Sequence, residues 1–277
     1  MPCYICVTCG VQHAESENLP ALCRICEDDR QYVHADGQQW TTLEALQGQY
    51  QNVFRAIEPG LIGLTTEPRF AIGQQALLLR SPAGNVLWDC VSLFDEATYN
   101  TINALGGLYA IAISHPHFCA SMVEFSRAFN HAPIYVHADD REFVMRLDPA
   151  IRFWESETQV IRDGLTLVRC GGHFRGSAVL HWADGAEGAG VLLTSDTLWV
   201  ANDRRHVSFM YSYPNLIPLA APAVRRIAAA VEPLAYDRIY GGWSGAHIVD
   251  SAKAAVARSV ERYLAAIGAG AQGNGQP

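Results

Sequence analysis

The stretch that decides the fold is Leu108-Tyr-Ala-Ile-Ala-Ile-Ser-His-Pro-His117, a run of apolar residues that leads directly into two histidines. The run is the most apolar strand candidate in the chain. Because His115 and His117 lie two positions apart just past a strand, their imidazoles leave the sheet edge on the same side and can share one ion. The stretch therefore predicts a metal-binding edge of a sheet.

Other strand candidates also end in residues that can serve a metal site. Val168-Arg-Cys-Gly-Gly-His173 runs into a glycine-rich turn, and Leu192-Leu-Thr-Ser-Asp196 ends in a carboxylate. Ligands gathered at several strand ends are typical of open α/β sites. We predict that four residues bind the active-site metal, namely His115, His117, His173 and Asp196. Asp89, which ends a further strand candidate, is expected to orient a ligand histidine.

The remaining sequence alternates strand-like and helix-like patterns. The predicted strands are 70–80, 85–93, 108–114, 133–137, 165–170, 177–182, 190–194 and 238–240. The predicted helices are a short one over 42–51, a second over 121–129, a third between Pro222 and Pro233, and a fourth from a 250/251 cap to Gly268. Residues 81–84 read as a hairpin turn. Strands joined by a hairpin come first along the chain, and mixed strand and helix units follow. This order predicts an α/β layered domain.

Two Cys-x-x-Cys pairs lie near the N-terminus, Cys6-Val-Thr-Cys9 and Cys23-Arg-Ile-Cys26. The 13 residues between them, 10–22, carry too few apolar side chains to form a core, so a structural Zn²⁺ is expected to supply the folding energy. Cys3 forms an alternative pair with Cys6. Gly10 favours Cys9 over Cys3, because the residue after the second thiolate of such a pair often turns with positive φ.

Composition and charge exclude several classes of protein. The chain has 277 residues, 49% of them hydrophobic, and a net charge of −8 from 20 basic and 28 acidic residues. The apolar runs are strand-sized, so we expect no membrane span, and the acidic balance argues against a nucleic-acid surface. Met1-Pro-Cys-Tyr-Ile-Cys6 has neither the basic nor the apolar region of a secretory signal, which predicts a cytoplasmic location.

In type and order, these motifs resemble those of the metallo-β-lactamase-fold hydrolase superfamily. The resemblance spans roughly residues 55–267, through Asp89, His115-x-His117, Gly171-Gly-His173 and Thr194-x-Asp196. Within that superfamily, a bacterial subgroup with an N-terminal zinc ribbon is similar in its cysteine pairs and in three motifs, Ser114-His-Pro-His-Phe118, Arg169-Cys-Gly-Gly-His-Phe174 and Tyr213-Pro-Asn-Leu-Ile-Pro218.

The resemblance implies a four-layered αββα sandwich with the metal in a cleft at one edge. The expected domains are a zinc ribbon over 1–30, a linker with a short helix over 31–54, a metallo-β-lactamase-like domain over 55–267 and a flexible tail over 268–277. We expect one structural and one catalytic Zn²⁺, and Fe²⁺ is an alternative at the catalytic site because imidazole and carboxylate accept both ions.

The sequence departs from the family's pattern at the second metal. The family has His-x-His-x-Asp-His, whereas Cys119 and Ala120 stand here in place of the aspartate and the third histidine. Trp243 occupies the place of a final metal-binding histidine, and indole is not a ligand. A mononuclear site is therefore predicted, with Cys119 and His247 as the alternatives that would bind a second ion.

The leading functional interpretation is a zinc-dependent hydrolase of a small ester, thioester, lactone or amide. Asp196 is expected to be the fourth ligand or the base, while substrate contacts are expected from Arg204, Arg205, Tyr213 and Trp243. An exposed, solvated loop is the alternative for the two arginines and Tyr213. Segments 61–70 and 207–217 are expected to be specificity loops.

Two alternative functions stay open. One is a catalytically impaired scaffold of the same fold, in which the ribbon docks a protein partner or a second copy of the chain. The other is a phosphodiesterase or nuclease. The first 30 residues contain five acidic side chains and two arginines, and this negative charge argues against nucleic-acid binding by the ribbon. The missing second-metal ligands argue against phosphodiester cleavage as well.

Overall fold

The computed structural model describes residues 1–81 and 84–269. The described residues divide into two compact units, one up to Glu155 and the other from Ser156 onward. Within the described residues, no helix has the length and apolar character that crossing a membrane requires. Part of the predicted turn over 81–84, and the tail from residue 270 onward, lie outside the described residues.

The first unit is built around a seven-stranded sheet with the order β10-β9-β8-β7-β6-β5-β4. Its strands are β4 (Gln51–Glu58), β5 (Leu61–Glu67), β6 (Ala76–Leu79), β7 (Val86–Trp88), β8 (Ala110–Ala112), β9 (Ile134–His137) and β10 (Ile151–Trp154). Neighbours from β4 to β7 pair antiparallel, while neighbours from β7 to β10 pair parallel. The parallel half therefore brings the carboxyl ends of β7, β8 and β9 to one edge.

Helices α2 (Glu96–Ala104) and α3 (Met122–Ala128) connect these parallel strands. Asp95 caps α2, since its side chain accepts a hydrogen bond from the backbone N–H of Thr98. Short 3-10 turns, Pro116–Phe118 and Ala138–Phe143, follow β8 and β9. Each parallel strand thus leads into a tight turn or loop at the same edge.

The N-terminal segment forms a three-stranded antiparallel sheet of β1 (Cys3–Cys6), β2 (Gln12–Glu15) and β3 (Trp40–Thr41), followed by the short helix α1 (Leu43–Leu46). This N-terminal segment and the rest of the first unit contribute to one apolar cluster, in which Ile5, Leu46, Phe70 and Leu93 are buried together. The N-terminal sheet is therefore packed into the first unit.

The second unit holds a six-stranded sheet with the order β11-β12-β13-β14-β19-β20. Its strands are β11 (Thr158–Arg162), β12 (Leu165–Arg169), β13 (Ala178–Trp182), β14 (Val191–Leu193), β19 (Arg238–Tyr240) and β20 (His247–Ile248). Two small hairpins add β15 (Trp199–Val200), β16 (Val207–Ser208), β17 (Met210–Ser212) and β18 (Ile217–Pro218).

Helices α4 (Ala221–Val231) and α5 (Ala252–Ala266) supply the apolar stripes that pack in this unit's core. Val224, Ile227 and Val231 of α4 are buried in one cluster with Val256 and Leu264 of α5. Their spacing of three and four residues keeps them on one helix face. The predicted helix between Pro222 and Pro233 is confirmed.

Each of the eight predicted strands contains an observed strand, but those expected over 70–80 and 85–93 are limited to Ala76–Leu79 and Val86–Trp88. The α/β fold is confirmed. The prediction for 61–70 was wrong, because residues 61–67 form β5 inside the large sheet. Gly63 obscured the strand pattern, and a Cβ there would come within 2.7 Å of the Gln75 side-chain oxygen, so a larger residue would require that side chain to move.

Three smaller expectations also need correction. The helix expected over 42–51 is limited to α1, because residue 51 already begins β4. Segment 207–217 contains two strands of the small hairpins rather than only loop. Ser251 stands before α5 with a φ of 50°, but its side chain makes no capping hydrogen bond.

Candidate metal centres

The loop after β8 is held by a buried carboxylate at the end of the neighbouring strand. Asp89 follows β7 with a φ of 63°, its N–H donates to the Ala112 carbonyl at 2.8 Å, and its Oδ1 accepts from the Ser114 N–H at 2.7 Å. Because β7 and β8 are parallel neighbours, Asp89 reaches the first residues beyond β8. It thus fixes the backbone that leads into the two histidines.

His115 and His117 are both buried in this loop, with ring centroids 5.1 Å apart. The Ser114 hydroxyl lies 2.8 Å from His115 Nδ1. Burial, reinforced by the Arg30 charge, lowers the pKa of His115 to about 3. The imidazole is therefore neutral at pH 7, which is the form that binds metals.

In the second unit, His173 and Asp196 form a pair of their own. His173 Nε2 lies 3.6 Å from Asp196 Oδ2, and His173 Nδ1 lies 3.2 Å from the Met210 carbonyl. Gly172 precedes the histidine with a φ of 87°, and a Cβ there would come within 2.7 Å of Ile227 Cδ1. Burial raises the pKa of Asp196 to about 7, although the nearby His173 acts in the opposite direction.

All four predicted ligands are buried, His115 and His117 in the first unit and His173 and Asp196 in the second. Three imidazoles and one carboxylate form a donor set that suits Zn²⁺, and Fe²⁺ accepts the same donors. The residues thus fit a divalent metal ion.

Cys119 and His247, the alternatives for a second ion, are not among the described residues that form this group. Burial, followed by the charges of Asp140 and Asp89, raises the pKa of the Cys119 thiol, which favours its protonated form. His247 packs edge-on against Tyr240, with ring centroids 4.8 Å apart. The binding of a second ion by Cys119 or His247 therefore stays a prediction.

A second buried group consists of Cys6, Cys9, Cys23 and Cys26. Cys6 Sγ lies 3.5 Å from Cys26 Sγ, and Cys9 Sγ lies 3.7 Å from Cys23 Sγ. Sulfurs in a tetrahedral zinc site with 2.3 Å bonds are about 3.8 Å apart, so the group fits Zn²⁺ and is far too open for disulfides.

Backbone conformation and hydrogen bonds support the cysteine group. Gly10 has a φ of 82°, as its position after Cys9 predicted, and Cys3 lies outside the group. Hydrogen bonds from Cys26, Cys6 and Cys9 lower the pKa of the Cys23 thiol. Gln38, which the sequence did not single out, donates its amide to Cys6 Sγ at 3.2 Å. The cluster is that of a zinc ribbon.

The aromatic residues predicted to contact substrate form a stack in the second unit. The Tyr213 hydroxyl donates to the Asp196 carbonyl at 3.0 Å, and burial raises the pKa of Tyr213. The Tyr213 ring stacks on Trp199 at 4.2 Å, and Trp199 contacts Trp243 at 4.2 Å. Tyr213 therefore braces the backbone of Asp196. No sequence motif pointed to Trp199, although it follows Asp196 by only three residues.

Arg204 and Arg205 are exposed in the turn between β15 and β16. They line a groove together with His247 and the start of α5. The structure thus places the two arginines with residues at the edge of the six-stranded sheet.

No family model matches the chain. A relative in Bacillus subtilis (strain 168), described as "Uncharacterized protein YmaE", is 52% identical over 269 residues, covering 96% of this chain and 97% of that protein. The chain belongs to the YmaE family. The fold of this YmaE-family member is shown by its similarity to solved structures.

Three solved structures show a common fold. The metallo-β-lactamase DIM-1 matches with a TM-score of 0.59 at 10% identity, covering 78% of this chain and 98% of that one. VMB-1 matches with a TM-score of 0.58 at 12% identity and the same coverage. FIM-1 from Pseudomonas aeruginosa, in its mono-zinc form, has a TM-score of 0.55 at 14% identity over 76% of this chain and 95% of that one. This YmaE-family chain has the metallo-β-lactamase fold.

Proposed function

We propose that the protein is a metal-dependent hydrolase with a mononuclear zinc site. His115, His117, His173 and Asp196 would hold the ion, and the substrate would be a small ester, thioester, lactone or amide. The observation that carries the proposal is a buried pair of metal-competent side chains in each unit, His115 with His117 and His173 with Asp196, in a chain with this fold. The mono-zinc form of FIM-1 supports the stoichiometry of one ion.

A divalent ion held by these residues would supply Lewis-acid activation of water and of the scissile carbonyl group. The chain's own contribution is to present the ligands preorganised and buried. Ser114 orients His115 through Nδ1, and the Met210 carbonyl orients His173 in the same way. Such contacts fix the ring orientation of ligand histidines and leave the other nitrogen for the ion.

Asp196 has two roles in this proposal. One carboxylate oxygen completes the ligand set, and the other accepts the proton that the attacking water gives up. The Tyr213 hydroxyl holds the Asp196 backbone for this purpose, and Asp89 holds the backbone beside His115. Trp243, packed against Trp199, would exclude water from the substrate.

The cysteine group would hold a separate, structural Zn²⁺. The proposal also includes a cytoplasmic location, a small-molecule substrate, and docking of a protein partner or a second copy through the ribbon. The absence of a recognisable secretory signal and the two Cys-x-x-Cys pairs of the sequence support these features.

Metal counting and activity measurements test the proposal. Inductively coupled plasma analysis should find two metal ions per wild-type chain and one in His115→Ala. His173→Ala should lose at least about 100-fold in activity against the ester, lactone, thioester or amide that the wild type hydrolyses. His34→Ala, which removes an exposed histidine, is the matched control and should change neither quantity. Three ions per wild-type chain, or full activity in His173→Ala, would contradict the mechanism.

A further inference from the structure

A groove of about 710 Å³ lies at the edge of the six-stranded sheet in the second unit. Its walls come from the turn between β15 and β16, from β20 and the residues after it, and from the first turns of α5. The polar residues that line it are Arg204, Arg205, His247, Asp250, Ser251 and Arg258. A volume of this size accommodates a typical small-molecule ligand.

Three arginines at this groove have no carboxylate partner among the described residues within ion-pair distance. Arg258 Nη2 donates to the Arg205 carbonyl at 3.3 Å, a contact that leaves both positive charges uncompensated. Asp203, the nearest carboxylate in sequence, is engaged elsewhere, because it accepts from the His206 ring at 2.7 Å and lies 3.8 Å from Arg262. The groove therefore concentrates positive charge in a chain whose net charge is −8.

The fold holds this arrangement in place at several points. The Asp203 carboxylate accepts the backbone N–H of Arg205 at 2.9 Å, which shapes the turn that carries the arginines. Arg204 lies against Gly245, where a Cβ would come within 3.3 Å of Arg204 Nη2. Among the lining residues, Asp250 is the one carboxylate. The start of α5 adds the partial positive charge of a helix N-terminus.

We propose that this groove binds the phosphate groups of a phosphorylated small molecule. Guanidinium groups bind phosphate oxygens through paired, charge-assisted hydrogen bonds, and three of them around one groove suit a diphosphate. The groove's volume leaves room for an organic moiety beside the phosphates. None of the lining residues belongs to the cysteine group or to the four predicted ligands of the catalytic ion, and binding there does not depend on hydrolysis.

The location connects the groove with the aromatic stack. Gly245, which Arg204 contacts, is two residues from Trp243, and Trp243 packs on Trp199. A ligand anchored on Arg204 would therefore lie beside the loop that carries Trp243. Binding should change the tryptophan fluorescence of the protein, which gives a second signal besides heat.

Isothermal titration calorimetry with ADP, pyrophosphate and adenosine tests the proposal. ADP and pyrophosphate should bind the wild-type protein, while adenosine, which lacks phosphate, should not. Replacing all three arginines by glutamine, R204Q/R205Q/R258Q, should weaken ADP binding at least about tenfold, since each charge-assisted contact contributes appreciably. Arg80→Gln, which removes an exposed arginine outside the groove, is the control and should bind ADP as the wild type does.

A metal-site variant separates this site from the proposed catalytic centre. His115→Ala should keep its affinity for ADP, because the groove does not include that histidine. Loss of ADP binding in His115→Ala with full binding in the arginine variant would assign the phosphate to the metal centre and overturn the proposal. Absence of ADP and pyrophosphate binding in the wild type would overturn it too, and would leave the hydrolase proposal untouched.

Discussion

The two groups of metal-competent side chains differ in how far apart their members lie along the chain. The cysteine group falls entirely between Cys6 and Cys26, whereas the other group runs from His115 to Asp196. The first group can form from a short segment with little help from the sheets. The second exists only after several strands have paired. We therefore expect a metal ion to contribute to folding in the ribbon, whereas in the other group the fold would position the ligands before an ion binds.

Loss of a ribbon ligand should produce the largest effect on stability. Cys23→Ala should lower the free energy of unfolding by more than about 4 kcal/mol, because the segment lacks a core of its own and depends on the ion. Urea unfolding measures this change, and metal analysis should show one ion fewer per chain. Cys3→Ala, outside the group, is the matched control and should cost less than about 1 kcal/mol. Equal urea midpoints for Cys23→Ala and Cys3→Ala would show that the ribbon does not depend on its metal ligands for stability.

The ribbon's attachment to the first unit should give the next largest effect. Arg146 Nη1 lies 2.5 Å from Glu124 Oε1 and also contacts the Gln12 side chain of β2. Only 7% of the Arg146 side chain is exposed, so Glu124→Gln leaves a nearly buried charge without its partner and should cost about 3 kcal/mol.

A second ion pair offers a control for this change. Arg24 and Glu142 are paired on the surface, each with more than half of its side chain exposed. Glu142→Gln should cost less than about 1 kcal/mol, since exposed ion pairs contribute little. Thermal or urea unfolding of the two variants gives the difference. If Glu142→Gln destabilised the protein as much as Glu124→Gln, burial of the Arg146 pair would not explain its contribution.

The histidine group should produce a smaller effect, which depends on pH. The pKa of His115 is lowered to about 3 in the folded state, against about 6.5 when unfolded. Below pH 6.5 the unfolded chain therefore binds a proton that the folded chain does not, and stability falls as the pH falls toward 3. Between pH 7 and pH 4.5 this imidazole should account for a loss of about 2 to 3 kcal/mol.

His115→Asn should flatten the dependence of stability on pH over that range. Urea unfolding at pH 7, 6, 5 and 4.5 measures the slopes for wild type and variant. His34→Asn, which changes an exposed histidine, should keep the wild-type slope. Parallel curves for wild type and His115→Asn would show that this imidazole is not the group whose protonation opposes folding.

Regular local patterns made much of the fold predictable. The strand that ends before Ser114, and the helix between Pro222 and Pro233, follow from runs of apolar residues and from proline stops. The strand over 61–67 was missed because Gly63 interrupts its pattern. That glycine is explained by the close approach of Gln75, a residue on the neighbouring segment that no local pattern could reveal.

The candidate metal ligands were predictable for the same local reason, since each follows a recognisable strand or lies in a Cys-x-x-Cys pair. The supporting contacts were not. The hydrogen bond from Tyr213 to the Asp196 carbonyl and the place of Trp199 between two aromatic rings depend on how small hairpins fold back. The meeting of Arg258 with the turn that carries Arg205 joins residues more than fifty positions apart.

By itself, then, the sequence determined the order of strands, the ligand types at their ends and the conformation at Gly10, because backbone geometry fixes what neighbouring residues can do. Only the tertiary structure decided which side chains brace Asp196, which side chain lies against Gly63, and where three arginines collect around one groove. These contacts join segments that are distant along the chain, so their positions are set by packing and hydrogen bonding in the folded molecule.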